Sequence, residues 1–174
     1  MFSPSAPAWQ CQTAQGVLSG VGNQALLTAP LLGFFASRQC PGYAIRAAMG
    51  WAVTQARAGQ AVVSGFHSPL EDSVLKVYLA ARAPAVLVLA RSAQHARLSA
   101  AWRPGVVAGH LVVASAMPDD DDITPRLTAA GARARNDVAA RLAASIVIGH
   151  AAPGGELASQ TAAWHAAGRA LHWL

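Results

Sequence analysis

The chain has 174 residues, 53% of them hydrophobic and only 12% charged, which excludes a disordered chain and suits one domain better than two. No apolar run approaches the roughly 20 residues of a membrane span, and residues 1 to 10 lack the basic and apolar regions of a secretory leader. The net charge of +5 rests on twelve arginines and one lysine, a bias toward the side chain that forks onto phosphates. It permits a nucleic-acid partner without proving one. Cys11 and Cys40 lack CxxC spacing and read as two reduced thiols rather than a disulfide or metal framework. The expectation is a cytoplasmic protein with no membrane partner and no bound cofactor.

Residues 1 to 16 read as an N-terminal extension, extended or frayed over residues 1 to 12, and residues 17 to 174 as a single domain. Leu31 to Ala36 is a short apolar run with a buried-strand signal that ends at Ser37-Arg38. Residues 42 to 58 read as a helix that places Ile45, Ala48, Met49 and Ala52 on one face and stops at Gly59. Ala61 to Ser64 is the next strand. Ser68 to Ala81 is the next helix, with Pro69 suited to its first turn and Glu71 and Asp72 to the positive end of its dipole. Ala85 to Ala90 lacks polar alternation and reads as a strand covered on both faces. A helical piece around residues 92 to 101 follows, then a strand over Leu111 to Ala114. Ile123 to Ala144 reads mostly as helix, Ala144 to Gly149 as strand, Glu156 to Ala167 as helix, and Ala170 to Leu174 as a last strand. This alternation predicts an α/β, Rossmann-like fold of three layers, a mostly parallel sheet with helices on both faces. Asp119 to Asp122 is a charge run open to a metal, though a solvated loop or helix start is the commoner use.

In such a sheet, ligands sit beyond the carboxyl ends of the strands, where helix N-termini offer free amides. The residues just after each strand are therefore the candidates. Ser37 offers a hydroxyl and Arg38 a charge-assisted fork to a phosphate. Ser64-Gly65, with His67 after them, makes a tight exit whose backbone amides can face an anion. Arg133, Arg135 and Arg141 share one helix, but six residues is not a whole number of turns, so Arg135 and Arg141 cannot serve one ligand. Arg135 with Asn136 is the chosen pair. Gly154, Gly155 and Glu156 open the last helix. His150, at a strand end without an acidic neighbour, reads as a polar cap or as an acid, base or ligand. Gly20-Val21-Gly22-Asn23-Gln24-Ala25 fits a dinucleotide fingerprint, but Pro30 leaves no room for the helix that the mechanism needs. No Ser-His-Asp, HExxH or paired-carboxylate spacing is present.

Taken in order, several of these segments resemble the Rossmann core of the DNA-processing protein A (DprA/Smf) family. Val17-Leu18, Gly22-Asn23, Leu26-Leu27 and Ala36-Ser37-Arg38 follow the family's strand, turn, Leu-Leu step and Gly-Ser-Arg, with Ala36 in place of the glycine. Ser64-Gly65 match its Ser-Gly-Leu-Ala-Arg-Gly-Ile-Asp segment, with Glu71 standing where the aspartate stands. Arg135-Asn136 match its Arg-Asn-Arg helix, with Asp137 replacing the second arginine. Gly155 fits the start of the final helix, and Gly168-Arg169 the turn before the last strand. The resemblance spans about residues 17 to 174, and residues 92 to 130 align loosely.

That resemblance implies binding of single-stranded DNA, a role in DNA uptake, competence and recombination, a recombinase partner and a homodimer. Pro153-Gly154-Gly155-Glu156 resembles, more distantly, the glycine segment of the lysine-decarboxylase-like LOG family. This implies a nucleotide phosphoribohydrolase that cleaves an N-glycosidic bond, with Gln160 roughly where that family has its glutamate. A non-catalytic nucleotide-sensing module is the third reading. Enzymatic activity stays open, with binding preferred and no catalytic residue assigned. Trp102, Trp164 and Trp173 are open to base stacking or to core and dimer contacts.

Overall fold

The computed structural model describes residues 7–14, 16–93, 98–118 and 128–174. Asp119 to Asp122 lie outside the described residues, as do residues 123 to 127 of the expected long helix. The described elements are strands β1 (Ala8–Thr13), β2 (Gly16–Val21), β3 (Leu31–Ala36), β4 (Val62–Ser64), β5 (Ala85–Val88), β6 (Leu111–Ser115), β7 (Ala143–His150) and β8 (Leu171–Trp173). The helices are α1 (Gly42–Arg57), α2 (Pro69–Ala81), α3 (Arg103–Val107), α4 (Ala129–Leu142) and α5 (Glu156–Ala166).

All eight strands form one sheet in the order β1-β2-β6-β5-β4-β3-β7-β8. The pairings from β6 through to β8 are parallel, whereas β1 with β2 and β2 with β6 are antiparallel. Residues 8 to 13, read from sequence as part of an extended or frayed lead-in, are therefore an edge strand that pairs over its whole length with β2. Alternation of side chains along each strand splits the core in two. Phe34, Val62, Leu87 and Val147 pack under α1, α2 and α3, while Phe35, Val63, Val86 and Ile148 pack under α4 and α5. The result is the expected three-layer α/β architecture.

Local chemistry explains the element boundaries. Helix α2 begins with a full capping box: the Ser68 hydroxyl accepts from the Glu71 N–H at 3.3 Å and the Glu71 carboxylate accepts from the Ser68 N–H at 3.1 Å. Thr128 caps α4 by accepting from the Gly131 N–H at 3.0 Å. The helix expected around residues 92 to 101 lies further on, at Arg103–Val107, and residues 94–97 are outside the described set. Pro104, in the first turn of α3, costs no hydrogen bond there and sets the helical φ, so the helix starts where the proline allows it. Residues Gln24–Thr28 form only a 3-10 turn, capped by Asn23, so the GxGxxA stretch opens no α-helix.

Helix α1 meets the sheet through Ala44, Ala48, Ala52 and Ala56, spaced four apart and all buried. This seam of small side chains lets the helix lie close to the strands and leaves no space for a larger residue. Replacing Ala52 by leucine is expected to destabilise the protein by about 1–3 kcal/mol, read by urea unfolding. Ala47→Leu on the exposed face is the control and should leave the midpoint nearly unchanged.

Candidate phosphate-binding site

The order of the parallel strands defines one switch point, between β3 and β7, where the chain steps to β4 on one side of β3 and returns with β7 on the other. The segments leaving these two strands diverge to opposite faces, α1 on one and α5 on the other, and open a crevice at the strand ends. Ser37 bridges its floor. Its N–H donates to the His150 carbonyl at 2.8 Å, and its hydroxyl accepts from the Ala152 N–H at 2.8 Å. A serine hydroxyl that accepts from the backbone keeps its own proton for an anion. Ser64 also turns the chain, accepting from the Phe66 N–H at 3.2 Å, but it is fully buried. Of the two serines picked out from sequence, only Ser37 reaches the crevice.

Arg38 follows Ser37 and is exposed. It takes part in no ion pair or hydrogen bond among the described residues. It lines a shallow groove of about 330 Å³ with Gln39, Ile45, Pro69 and Ser73. Across the crevice, α5 begins at Gly155, which caps it without a side chain, so the first-turn amides lack a side-chain acceptor. Gly154, at φ +72°, makes the tight turn just before it. His150 contributes its carbonyl to Ser37.

Behind this front lies a buried pair. Glu71 is 4% exposed, and its carboxylate accepts from the N–H groups of Ala36 at 3.0 Å, His67 at 2.9 Å and Ser68 at 3.1 Å. Burial pushes its carboxyl up, while those three donors and the nearby Arg135 cation pull the other way. Arg135, 7% exposed, lies against Gly65, where a Cβ would sit within 2.2 Å of its Nε. Gly65 is therefore a glycine because the guanidinium occupies the side-chain space. Beyond it, Phe66 takes a left-handed φ of 46° with its ring in the core, a strained position at the mouth of the site.

The sequence-selected residues thus separate into two sets. Ser37 meets the segment after β7 through His150 and Ala152. Arg38 lines the groove at the start of α2 and acts on the nearby His67, and Gly154 and Gly155 lead into α5. Arg135 and Asn136 are drawn into packing: Arg135 donates from Nε and Nη2 to Asn136 Oδ1 at 3.3 and 3.1 Å, and Asn136 donates to Gln160 Oε1 at 3.1 Å. Gln160, 1% exposed, donates in turn to the Arg133 carbonyl at 3.0 Å and to Asp137 at 3.1 Å. The position that the LOG resemblance matches to a glutamate is thus a buried amide tying α4 to α5. Glu156 pairs with Arg133 at the surface. Arg141 lies away from the crevice, near Thr13 and Val17.

Trp164 is core, tilted against Phe35 with centroids 4.8 Å apart and donating to Asp137 at 2.9 Å. Trp102 packs against the α1–α3 core, and Trp173 is exposed. Sequence reasoning took Glu71 as a helix-start acid and missed the rest of its work. The Ser68-x-x-Glu71 spacing signals the capping box, but nothing local signals the bond to Ala36. The Asn136–Gln160–Asp137 network has no sequence signal. Among the described residues no cluster of metal-ligating side chains occurs.

No family model matches the chain, and no curated protein does either. Solved structures do. DNA processing protein A from Helicobacter pylori, whose single-stranded DNA binding mode has been described, superposes with a TM-score of 0.72 at 18% identity over 90% of this chain and 71% of that one. DNA processing protein A from Streptococcus pneumoniae superposes at 0.76 with 16% identity over 98% and 63%. The fold is that of DNA processing protein A. A weaker likeness, with a TM-score of 0.53 and 15% identity over 83% and 76%, joins the chain to the molybdenum cofactor carrier protein of Chlamydomonas reinhardtii.

Two predictions follow from the charges. Replacing Glu71 by alanine strips three backbone N–H groups of their acceptor and leaves buried Arg135 without its nearby opposite charge, so unfolding free energy should fall by about 3–5 kcal/mol in urea titrations. His67 has its pKa lowered from the ordinary 6.5, first by burial and then by Arg135 and Arg38. Neutral His67 therefore contributes stability above the ordinary value, and this is lost as pH falls through the lowered folded value. A histidine NMR titration should show that pKa rising when Arg38 is replaced by glutamine, and rising again in the native protein when inorganic phosphate is added.

Proposed function

We propose that this protein binds the phosphate backbone of single-stranded DNA in the β3–β7 crevice, as a binding protein rather than an enzyme. The observation that carries the reading is Arg38, an exposed guanidinium with no ion pair or hydrogen bond among the described residues, directly after β3 at the topological switch point. Ser37 precedes it, with its hydroxyl on the segment after β7, and the N-cap Gly155 of α5 offers no side-chain cap. A planar cation next to fixed N–H and O–H donors is what a phosphodiester needs. The likeness to a DNA processing protein A that binds single-stranded DNA supports the same ligand class.

Under this reading the protein works in the cytoplasm, in DNA uptake and recombination, as a homodimer that meets a recombinase. Among the described residues no helix is long and apolar enough to cross a membrane. Arg135 acts behind the site: it carries positive charge to His67 and holds the Gly65 loop, while Arg38 faces the ligand. Residues 17 to 174 act as one domain in this scheme. The LOG-type hydrolase finds no support in Gln160 or Glu156, because both side chains are engaged between helices α4 and α5. A nucleotide-sensing role remains the alternative, since a mononucleotide offers the same phosphate.

The test is fluorescence anisotropy of a labelled single-stranded oligonucleotide at low and physiological salt. Saturable binding that weakens with salt is expected, and Arg38→Ala should reduce affinity about tenfold or more while lowering the salt slope by about one. Absence of saturable binding at low salt would refute the DNA reading. Binding of a mononucleotide in its place, lost in Arg38→Ala, would establish the sensor.

A further inference from the structure

Four carboxylates stand among the described residues, and each is engaged. Glu71 is buried under three backbone N–H groups, Asp72 pairs with Lys76 at 2.7 Å, Asp137 accepts from Gln160 and Trp164, and Glu156 pairs with Arg133. The arginines are not all balanced in this way. Arg91, beyond β5, is exposed and makes no ion pair or hydrogen bond among the described residues, and the same holds for Arg38 beyond β3. The register of the sheet relates the two. Gly33 of β3, Val63 of β4 and Val86 of β5 lie side by side, and Arg38, Ser68 and Arg91 each stand five positions further on. Strand β5 stays extended past its last paired residue, because the Leu89 N–H donates to the Ala114 carbonyl at 2.8 Å. The chain then bends at Ala90 and Arg91 and returns Ala93 to the interior, fully buried. Strands β3 and β5 flank β4, so their exits are two strand spacings apart, about 10 Å. Between them lies the β4 exit with the exposed His67. All three exits turn toward one layer, since α1, α2 and α3 pack on the same face of the sheet.

We propose that Arg91 is a second phosphate contact, and that the backbone of single-stranded DNA crosses the strand ends from Arg38 over the β4 exit to Arg91. This rests on the reading of the chain as a DNA-binding protein and names the path of the strand beyond the crevice. One phosphate cannot span about 10 Å, whereas about three stacked nucleotides cover it at about 3.4 Å each. A guanidinium at each end holds a phosphate by paired N–H donors. Among the described residues no free carboxylate repels the backbone along the way, because Glu71 is turned inward and Asp72 is held by Lys76. A mononucleotide reaches one guanidinium only. The path therefore makes affinity depend on strand length and favours DNA over a free nucleotide.

Anisotropy titrations of Arg91→Ala with a long labelled single-stranded oligonucleotide and with a labelled mononucleotide test the path. The oligonucleotide should bind about tenfold more weakly, with a salt slope lower by about 0.7–1, while mononucleotide affinity stays at the native value. Arg57→Ala is the control. It removes the same charge from the last turn of α1, beside the strand starts, and should change oligonucleotide affinity less than about twofold. Far-UV circular dichroism matching that of native protein shows that each variant is folded. Equal weakening by Arg91→Ala and Arg57→Ala would reduce Arg91 to bulk charge and overturn the path. So would a loss of mononucleotide affinity as large as the oligonucleotide loss, which would put Arg91 in one compact site with Arg38. If Arg38→Ala weakens oligonucleotide binding and Arg91→Ala does not, the path fails and the DNA reading stands. Native protein that binds no oligonucleotide overturns both.

Discussion

The Glu71 carboxylate is the interaction on which the front of the molecule depends. It accepts from the end of β3 at Ala36, from the loop after β4 at His67 and from the start of α2 at Ser68, and it lies near Arg135 of α4. Three stretches distant in sequence, at residues 36, 67–68 and 135, thus lie around one buried charge. A carboxylate out of water is costly unless its lone pairs are filled, and here the backbone fills them. The arrangement also determines which anion sites remain open. The N-terminus of α2 is occupied from within by Glu71, whereas the N-terminus of α5 carries no side-chain cap.

The cations are ordered by depth for the same reason. Arg135 is buried near Glu71, fills the space beside Gly65, and adds to burial in lowering the His67 pKa. Arg38 is exposed and makes no ion pair or hydrogen bond among the described residues. A buried carboxylate with a buried guanidinium nearby holds the loops together, while Arg38 stays exposed.

The α4–α5 side is held by polar chemistry of another kind. Asn136, Gln160, Asp137 and Trp164 form a chain of hydrogen bonds in which a buried amide and a carboxylate satisfy one another and a tryptophan indole. Because α5 opens after Gly155 near the switch point and leads on to β8, this network fixes the helix that runs from the strand ends to the sheet edge. It also explains why a glycine-rich start resembling a hydrolase's leads to no hydrolytic carboxylate: the helix face behind it is used for packing.

Much of the fold was legible in the chain alone. Runs such as Leu31 to Ala36 and Ala85 to Ala90, apolar without alternation, read as buried strands and are so. The inner face of α1, read from Ile45, Ala48, Met49 and Ala52, is instead Ala44, Ala48, Ala52 and Ala56, with Ile45 exposed because the close approach to the sheet admits only small side chains. The strand-end rule then singled out Ser37, Arg38 and Gly155, because it depends on the order of elements and not on side-chain contacts. What sequence could not decide was which polar groups face inward. Arg38 and Arg135 are the same residue type in equally plausible positions, yet one is exposed and the other buried against Gly65. Only the tertiary packing brings Glu71 to Arg135 and Gln160 to Asn136, and burial with its cost of desolvation decides which charge is spent on the fold and which is left for a ligand.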